Sequence, residues 1–407
     1  MLATLIPLFD EKMSVKAYSL FTQKANFLLN PSYLGTGRND GAGSISGLEI
    51  INSIGIDNLS ADCDIFIPVT NVSLFANIEE QCNADNSRIV ILIDKTVKPE
   101  DMYINRINEL KEKGYRFAIR KLSVPDFEPY RGILSLMDYI FLDHKKIVIE
   151  KAKIYFSKVY PNVKLIAGNI ANQDAFEKLK TQGGYQFYEG EFYRTPITQG
   201  NSEISPLKIN YIELLNIVNA DNFELTQAAD IIGRDTALVI SLLEMVNHIA
   251  VNSEITSIRH AAAMLGQREL KKWITTAVTK QLCSDKPSEV ARVSLLRAKF
   301  AENLAPIFDM GGMSQELFMM GLFSVLDIIL NKPMEEALEM LKVSKNIGKA
   351  LINGEGPFAG LYNFLLQYEN ANWTEIDRIM LLNEIDACAI YEAYIDSLKW
   401  YRDLFVK

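Results

Sequence analysis

The chain has 407 residues, 48% of them hydrophobic and 23% charged. That is an ordinary globular balance, and the length suits two domains. The net charge of -9 argues against non-specific binding to nucleic acid or acidic membranes, since both need a basic field. It leaves a local basic patch open.

The start, Met1 to Asp10, is apolar but short, has no basic segment before it and runs straight into Glu11 and Lys12. It is not expected to be a signal peptide. No apolar run is long enough to span a bilayer, so a cytoplasmic protein without a membrane partner is expected. Short β-rich runs then alternate with helix-period runs. The expected strands are Val15 to Phe21, Asp64 to Thr70, Ile89 to Asp94, Arg116 to Arg120, Asp138 to Leu142 and Val163 to Ala167. Several are almost continuously apolar, as strands covered on both faces are. Helices are expected at Asp101 to Lys113, closed by Gly114, and at Asp174 to Thr181, closed by Gly183 and Gly184. This alternation implies βαβ units and a parallel sheet, and leaves open whether the sheet is open or closed.

The polar stretch Ile197 to Pro206 carries no periodicity and reads as a linker. From Leu207 onward the pattern is helical. Tyr211, Leu214, Leu215 and Val218 mark one apolar stripe, and Leu238, Leu242 and Met245 another. Ser257 can cap a helix that ends at Gly266, and Trp373 to Phe405 reads as one or two long amphipathic helices.

Few motifs carry chemistry. The glycine-rich run Gly35 to Gly43 lacks a strand before it and a G-K-[ST] after it, so it reads as a surface loop rather than a phosphate cradle. The three histidines, His144, His248 and His260, are isolated, and none is followed by aspartate. The four cysteines, Cys63, Cys82, Cys283 and Cys388, form no C-x-x-C pair. No metal site, redox motif or nucleophilic triad is expected, and Glu335 and Glu336 read as a solvated helix face.

Two sets of motifs carry a family resemblance. Asp235 to Asn247, with its leucine pair and closing asparagine, is followed by Thr256 to Gly266 and then by Glu269 to Trp273. With Gly321 to Leu330 and Ala350 to Gly356, these resemble the HDOD domain over roughly Leu207 to Trp400. HDOD domains are helical relatives of metal phosphohydrolases that lack the metal ligands and serve as interaction modules. The first half resembles an EAL domain, a barrel that in its active members hydrolyses cyclic di-GMP with divalent metals held at the strand ends.

Laid on the EAL pattern, the metal-binding and catalytic positions are changed. Ser19 falls where the family's first glutamate belongs, Pro68 at the asparagine, and Leu92 at the next glutamate. Arg120 and Lys121 replace the paired aspartates, and Phe141 replaces a lysine, although Asp143 remains. Gly168 and Ala171 replace two further glutamates, and Glu189 with Gly190 falls at the Gln-Gly before the last strand. Asp143 is then the only carboxylate left in the inferred cluster. Arg120 and Lys121 oppose cation binding, and they read as a surface or salt-bridged pair rather than as a phosphate site.

The resemblance therefore implies a degenerate EAL-type β/α (TIM-like) barrel at residues 1–196, a linker at 197–206 and an all-helical HDOD domain at 207–407. It implies a non-catalytic signalling or scaffold protein related to cyclic-di-GMP signalling, with no cofactor and no metal. Its partners would be other signalling proteins, with homo-oligomerisation left open. Two alternatives stand beside it: a sensor that binds a nucleotide in the inactive pocket, and a phosphohydrolase of unfamiliar chemistry.

Overall fold

The computed structural model describes residues 1–23, 44–196, 206–220, 223–249, 255–341 and 343–404. The glycine-rich run Gly35 to Gly43 and residues 197–205 of the expected linker lie outside the described residues. By contact the chain divides into two compact units. One comprises Met1–Thr195, Lys299–Ser314 and Asn363–Lys407, and the other Pro196–Ala298 and Gln315–Tyr362. The helical stretch expected as one domain thus contributes segments to both units.

The first unit is built on a closed eight-stranded barrel whose strands pair in chain order. They are β1 (Leu2–Phe9), β2 (Val15–Gln23), β3 (Asp64–Pro68), β4 (Ile89–Ile93), β5 (Arg116–Ile119), β6 (Tyr139–Asp143), β7 (Lys164–Ile170) and β8 (Phe187–Gly190). The open alternative left by the pattern is thereby excluded. β1 runs antiparallel to both β2 and β8, and all other pairs are parallel. The Asp10 carboxylate forms the β1–β2 turn by accepting from the backbone N–H groups of Lys12 and Ser14, at 2.8 and 2.9 Å.

Strand β4, Ile-Val-Ile-Leu-Ile, is buried along its whole length. One face fills the barrel and the other lies under the surrounding helices, which is why the run has no polar alternation. The helix Asp101–Glu112 buries Ile107 and Leu110, and Gly114 follows at φ 91°. The helix Gln173–Gln182 buries Phe176 and Leu179 behind an Asn172 cap. Glu189 and Gly190 lie inside the last strand, β8, not before it.

Helices from the C-terminal part complete this unit. The stretch Trp373 to Phe405, expected as one or two helices, holds two, Trp373–Leu382 and Ala387–Asp403. The Ala3 N–H donates to the Tyr368 hydroxyl at 3.3 Å. Gln23 Nε2 donates to the fully buried Asp377 carboxylate at 2.6 Å. Phe300, Tyr368 and Tyr394 form an aromatic trio with centroids 5.0–5.4 Å apart.

The second unit is helical. Tyr211, Leu214, Leu215 and Val218 are buried along the helix Pro206–Asn219, and Leu238 and Leu242 along the helix Thr236–Ile249. Asn247 bonds both ways to the Ile255 backbone, accepting from its N–H at 2.6 Å and donating to its carbonyl at 2.9 Å. The Ser257 side chain caps the next helix, and Gly266, at φ 73°, breaks the helical path before Gln267. Gly321 sits where a Cβ would lie 2.4 Å from the Arg297 carbonyl oxygen, so two helices cross at backbone contact there.

Candidate functional site at the barrel mouth

Successive strand residues point to opposite faces, so the barrel interior is a parity class. Leu8, Ala17, Phe66, Val90, Leu92, Ala118, Tyr139, Phe141, Ile166 and Phe187 form the internal core. Stepping by two toward the C-terminal strand ends places Ser19, Phe21, Pro68, Leu92, Asp94, Arg120, Phe141, Asp143, Gly168 and Glu189 on the inward phase of β2 to β8. Of the positions singled out in the sequence, Lys121 and Ala171 fall out of this phase. The parallel sheet thus brings the other eight to one mouth, where α/β barrels hold their chemistry.

At that mouth the dominant feature is an ion pair. Arg120 follows β5, its N–H extending the ladder to the Ile93 carbonyl at 3.0 Å. Its Nη2 lies 3.4 Å from Glu189 Oε1 on β8. The two side chains are 19% and 8% exposed, so the pair is largely shielded from water. The guanidinium carbon also lies 5.0 Å from the ring centre of Phe21 on β2 and 5.2 Å from that of Phe141 on β6. Both distances are in the cation–π range.

A local irregularity in β7 makes room for Glu189. The register with β8 shifts between Ala167 and Ile170, and Asn169 sits at φ 60°. This bulge re-aims the chain beside the site. A Cβ at Gly168 would lie 3.8 Å from Glu189 Oε1, so the glycine position abuts the carboxylate. Ser19 is fully buried. Its Oγ, Arg120 Nη1 and Glu189 Oε2 are buried with no hydrogen-bond partner among the described residues.

The other mouth carboxylates have their own cations. Asp143 lies 3.6 Å from Lys146 Nζ and accepts from the Lys145 N–H at 3.0 Å. Lys121, at φ 63°, turns outward and meets Asp94 Oδ2 at 3.1 Å. Burial tends to raise the Asp94 carboxyl, but hydrogen bonds from Thr96 together with the Lys121 charge hold it below its ordinary value. Arg120 and Lys121, adjacent in sequence, therefore serve different carboxylates, as their salt-bridged reading expects. Asp143 is not the only carboxylate here, because Glu189 also reaches the mouth from β8. Sequence reasoning placed Glu189 outside the last strand and missed its inward parity.

Sequence reasoning also missed a polar layer at the opposite end. Arg116 Nη1 bonds Asp64 Oδ2 at 2.9 Å and the Tyr139 hydroxyl at 3.4 Å, and Lys164 Nζ lies 5.4 Å from the Tyr139 ring centre. Burial tends to lower Arg116, but the Asp64 partner overturns this and holds it above its ordinary value. His144 donates its backbone N–H to the Gly168 carbonyl at 2.9 Å, while His248 and His260 are exposed on the second unit. Among the described residues no three His, Cys, Asp or Glu side chains are grouped so as to hold a metal ion, and no helix is long and apolar enough to cross a membrane.

Several known proteins are similar to this chain. The uncharacterized protein YuxH of Bacillus subtilis is 26% identical over 98% of this chain and 97% of its own length. A Vibrio cholerae protein named cyclic di-GMP phosphodiesterase CdgJ is 24% identical over 98% of this chain and 91% of its own. An EAL domain protein from Listeria monocytogenes aligns over 47% of this chain and 86% of its own, with 13% identity and a TM-score of 0.36. The HDOD domain family matches residues 204–353, so the chain carries an HDOD domain after its eight-stranded barrel.

Proposed function

We propose that this chain is a non-catalytic signal-transduction protein, related to cyclic-di-GMP signalling, that works through contacts with other signalling proteins. The observation that carries this reading is the Arg120–Glu189 pair. A side-chain cation sits among the strand ends where hydrolysis in EAL enzymes needs carboxylates and divalent metals. A divalent ion brought there meets a fixed positive charge in a water-poor setting, which opposes binding. Ser19, Pro68, Leu92, Phe141 and Gly168 line the same face and supply no carboxylate. The name of the Vibrio relative carries the opposite expectation, hydrolysis of cyclic di-GMP. Incubating the purified full-length chain with cyclic di-GMP, in magnesium and then in manganese, decides between them. We expect no product above the no-enzyme blank, and none after Ser19→Glu, because the other positions stay unchanged. Turnover that follows the protein through two columns overturns the proposal.

A nucleotide sensor is the second reading. It is favoured by three buried polar atoms at the mouth that have no partner among the described residues, Ser19 Oγ, Arg120 Nη1 and Glu189 Oε2, since such groups attract a ligand or ordered water. Equilibrium dialysis with labelled cyclic di-GMP separates the two: saturable binding lost in Arg120→Met supports the sensor, and no retention supports the contact-only role.

A further inference from the structure

The resemblance to EAL domains implies divalent metals at this mouth, and the residues present do not fit them. The inward positions supply a serine, a proline, a leucine, an arginine, two phenylalanines and a glycine, beside three carboxylates. The three carboxylates among them, Asp94, Asp143 and Glu189, are each engaged by a side-chain cation. We propose that the Arg120 guanidinium is the barrel's own resident cation, tying together strand ends that a bound metal would otherwise hold.

The pairing order gives the reason. Arg120 follows β5, and both β2 and β8 lie three strands away, in opposite directions around the barrel. From there one side chain meets Glu189 on β8, the Phe21 ring on β2 and the Phe141 ring on β6. A single group after β5 therefore reaches three other places on the rim. A planar guanidinium suits this setting, because it stacks on aromatic faces while its edge donates to a carboxylate. The compact ammonium of lysine does one or the other. The pair is shielded, so removing the cation leaves a buried carboxylate, which costs more than the pair itself contributes.

The test is a double-mutant cycle in the full chain: parent, Arg120→Met, Glu189→Gln and the double variant, followed by the melting temperature of the barrel transition. Each single variant is expected to melt lower than the parent, and the double variant no lower than the worse single, because the two residues act as one unit. Losses that add, or an Arg120→Met protein that melts like the parent, overturn the proposal. If Arg120→Met does not fold, Arg120→Lys is read instead. It is expected to melt below the parent, and melting at the parent temperature overturns the assignment. Manganese alone, titrated into the parent, is expected to leave the melting temperature unchanged. A saturable rise that Glu189→Gln abolishes also overturns it. The cycle reads folding rather than turnover, so its failure is distinct from failure of the proposed function.

Discussion

Substituting Gly190 by alanine probes whether the β7–β8 junction, which positions Glu189, depends on backbone contact. Gly190 sits at φ 157°, and an added Cβ would lie 2.1 Å from the Ile170 carbonyl oxygen and 2.6 Å from its nitrogen. Both are backbone atoms of the paired strand, so no side-chain rotation relieves the overlap. The backbone conformation costs an L-residue about 1–2 kcal/mol, and forcing two strands apart typically costs a further ~1–3 kcal/mol. A loss of about 2–5 kcal/mol is therefore expected, which corresponds to roughly 4–20 °C in the melting temperature of a domain of this size. Calorimetry of the full chain measures it, and Gly312→Ala is the control. Gly312 belongs to the same unit, and nothing lies within 4 Å of the point its Cβ would occupy. That control should change stability by no more than about 0.5 kcal/mol, as open surface sites do. A Gly190→Ala protein that melts with the parent refutes the close approach and the account of Glu189 built on it.

Two further outcomes follow from the titrating groups. Asp94 is held below the ordinary carboxylate range, so its contribution is present above the unfolded value of about 3.9 and is lost as pH falls through the lower, folded value. Asp94→Asn should thus cost about 1 kcal/mol or less at pH 7, its Lys121 partner being exposed, and the difference should shrink below about pH 4; a difference in denaturation midpoint that widens on acidification contradicts this. Burial pushes the Cys283 thiol up to about 12, while Cys388 is exposed. At pH 8 a thiol reagent should label Cys388 quickly and leave Cys283 unmodified until denaturant is added, as peptide mapping of the labelled protein would show.

Much of the barrel is legible in the sequence because its strands are short β-branched runs separated by capped helices. The six expected strands each correspond to an observed one, within a few residues at the ends. Strand β8 is not among them, and neither is β1. Its sequence, Leu-Ala-Thr-Leu-Ile-Pro-Leu-Phe, contains a proline and no alternation. It is nonetheless buried on both sides, because it closes the barrel between β2 and β8. Closure is a long-range property, and local periodicity does not carry it. The eight inward positions of the site are readable once their strands are placed, since parity follows from the pleat. Their ion pairs are not: Arg120 and Glu189 lie 69 residues apart, and only the closed sheet brings them together. The same limit applies to residues 363–407. Their amphipathic pattern shows that they pack as helices, but not that Asp377 meets Gln23 or that Tyr368 meets Ala3 on the barrel.

The charges at the mouth obey one local rule. Glu189 has Arg120, Asp143 has Lys146, and Asp94 has Lys121, while at the other end of the barrel Asp64 has Arg116. A carboxylate drawn toward a barrel interior needs a counter-charge, because desolvation of an unpaired one costs several kcal/mol. In a metal-dependent barrel the bound ions can supply that charge to a cluster of acids, and the acids must then stay clustered. Here each acid is neutralised singly by a side chain within reach, so no acid depends on an ion shared with the others. The same arrangement separates the two halves of the Arg120–Lys121 pair, since their targets lie on different sides of β5: Asp94 after β4 and Glu189 on β8. Two adjacent cations, which together would suit a phosphate, are thereby divided between two carboxylates. Electroneutrality held pairwise keeps these acids apart, whereas metal-assisted hydrolysis rests on a cluster of them.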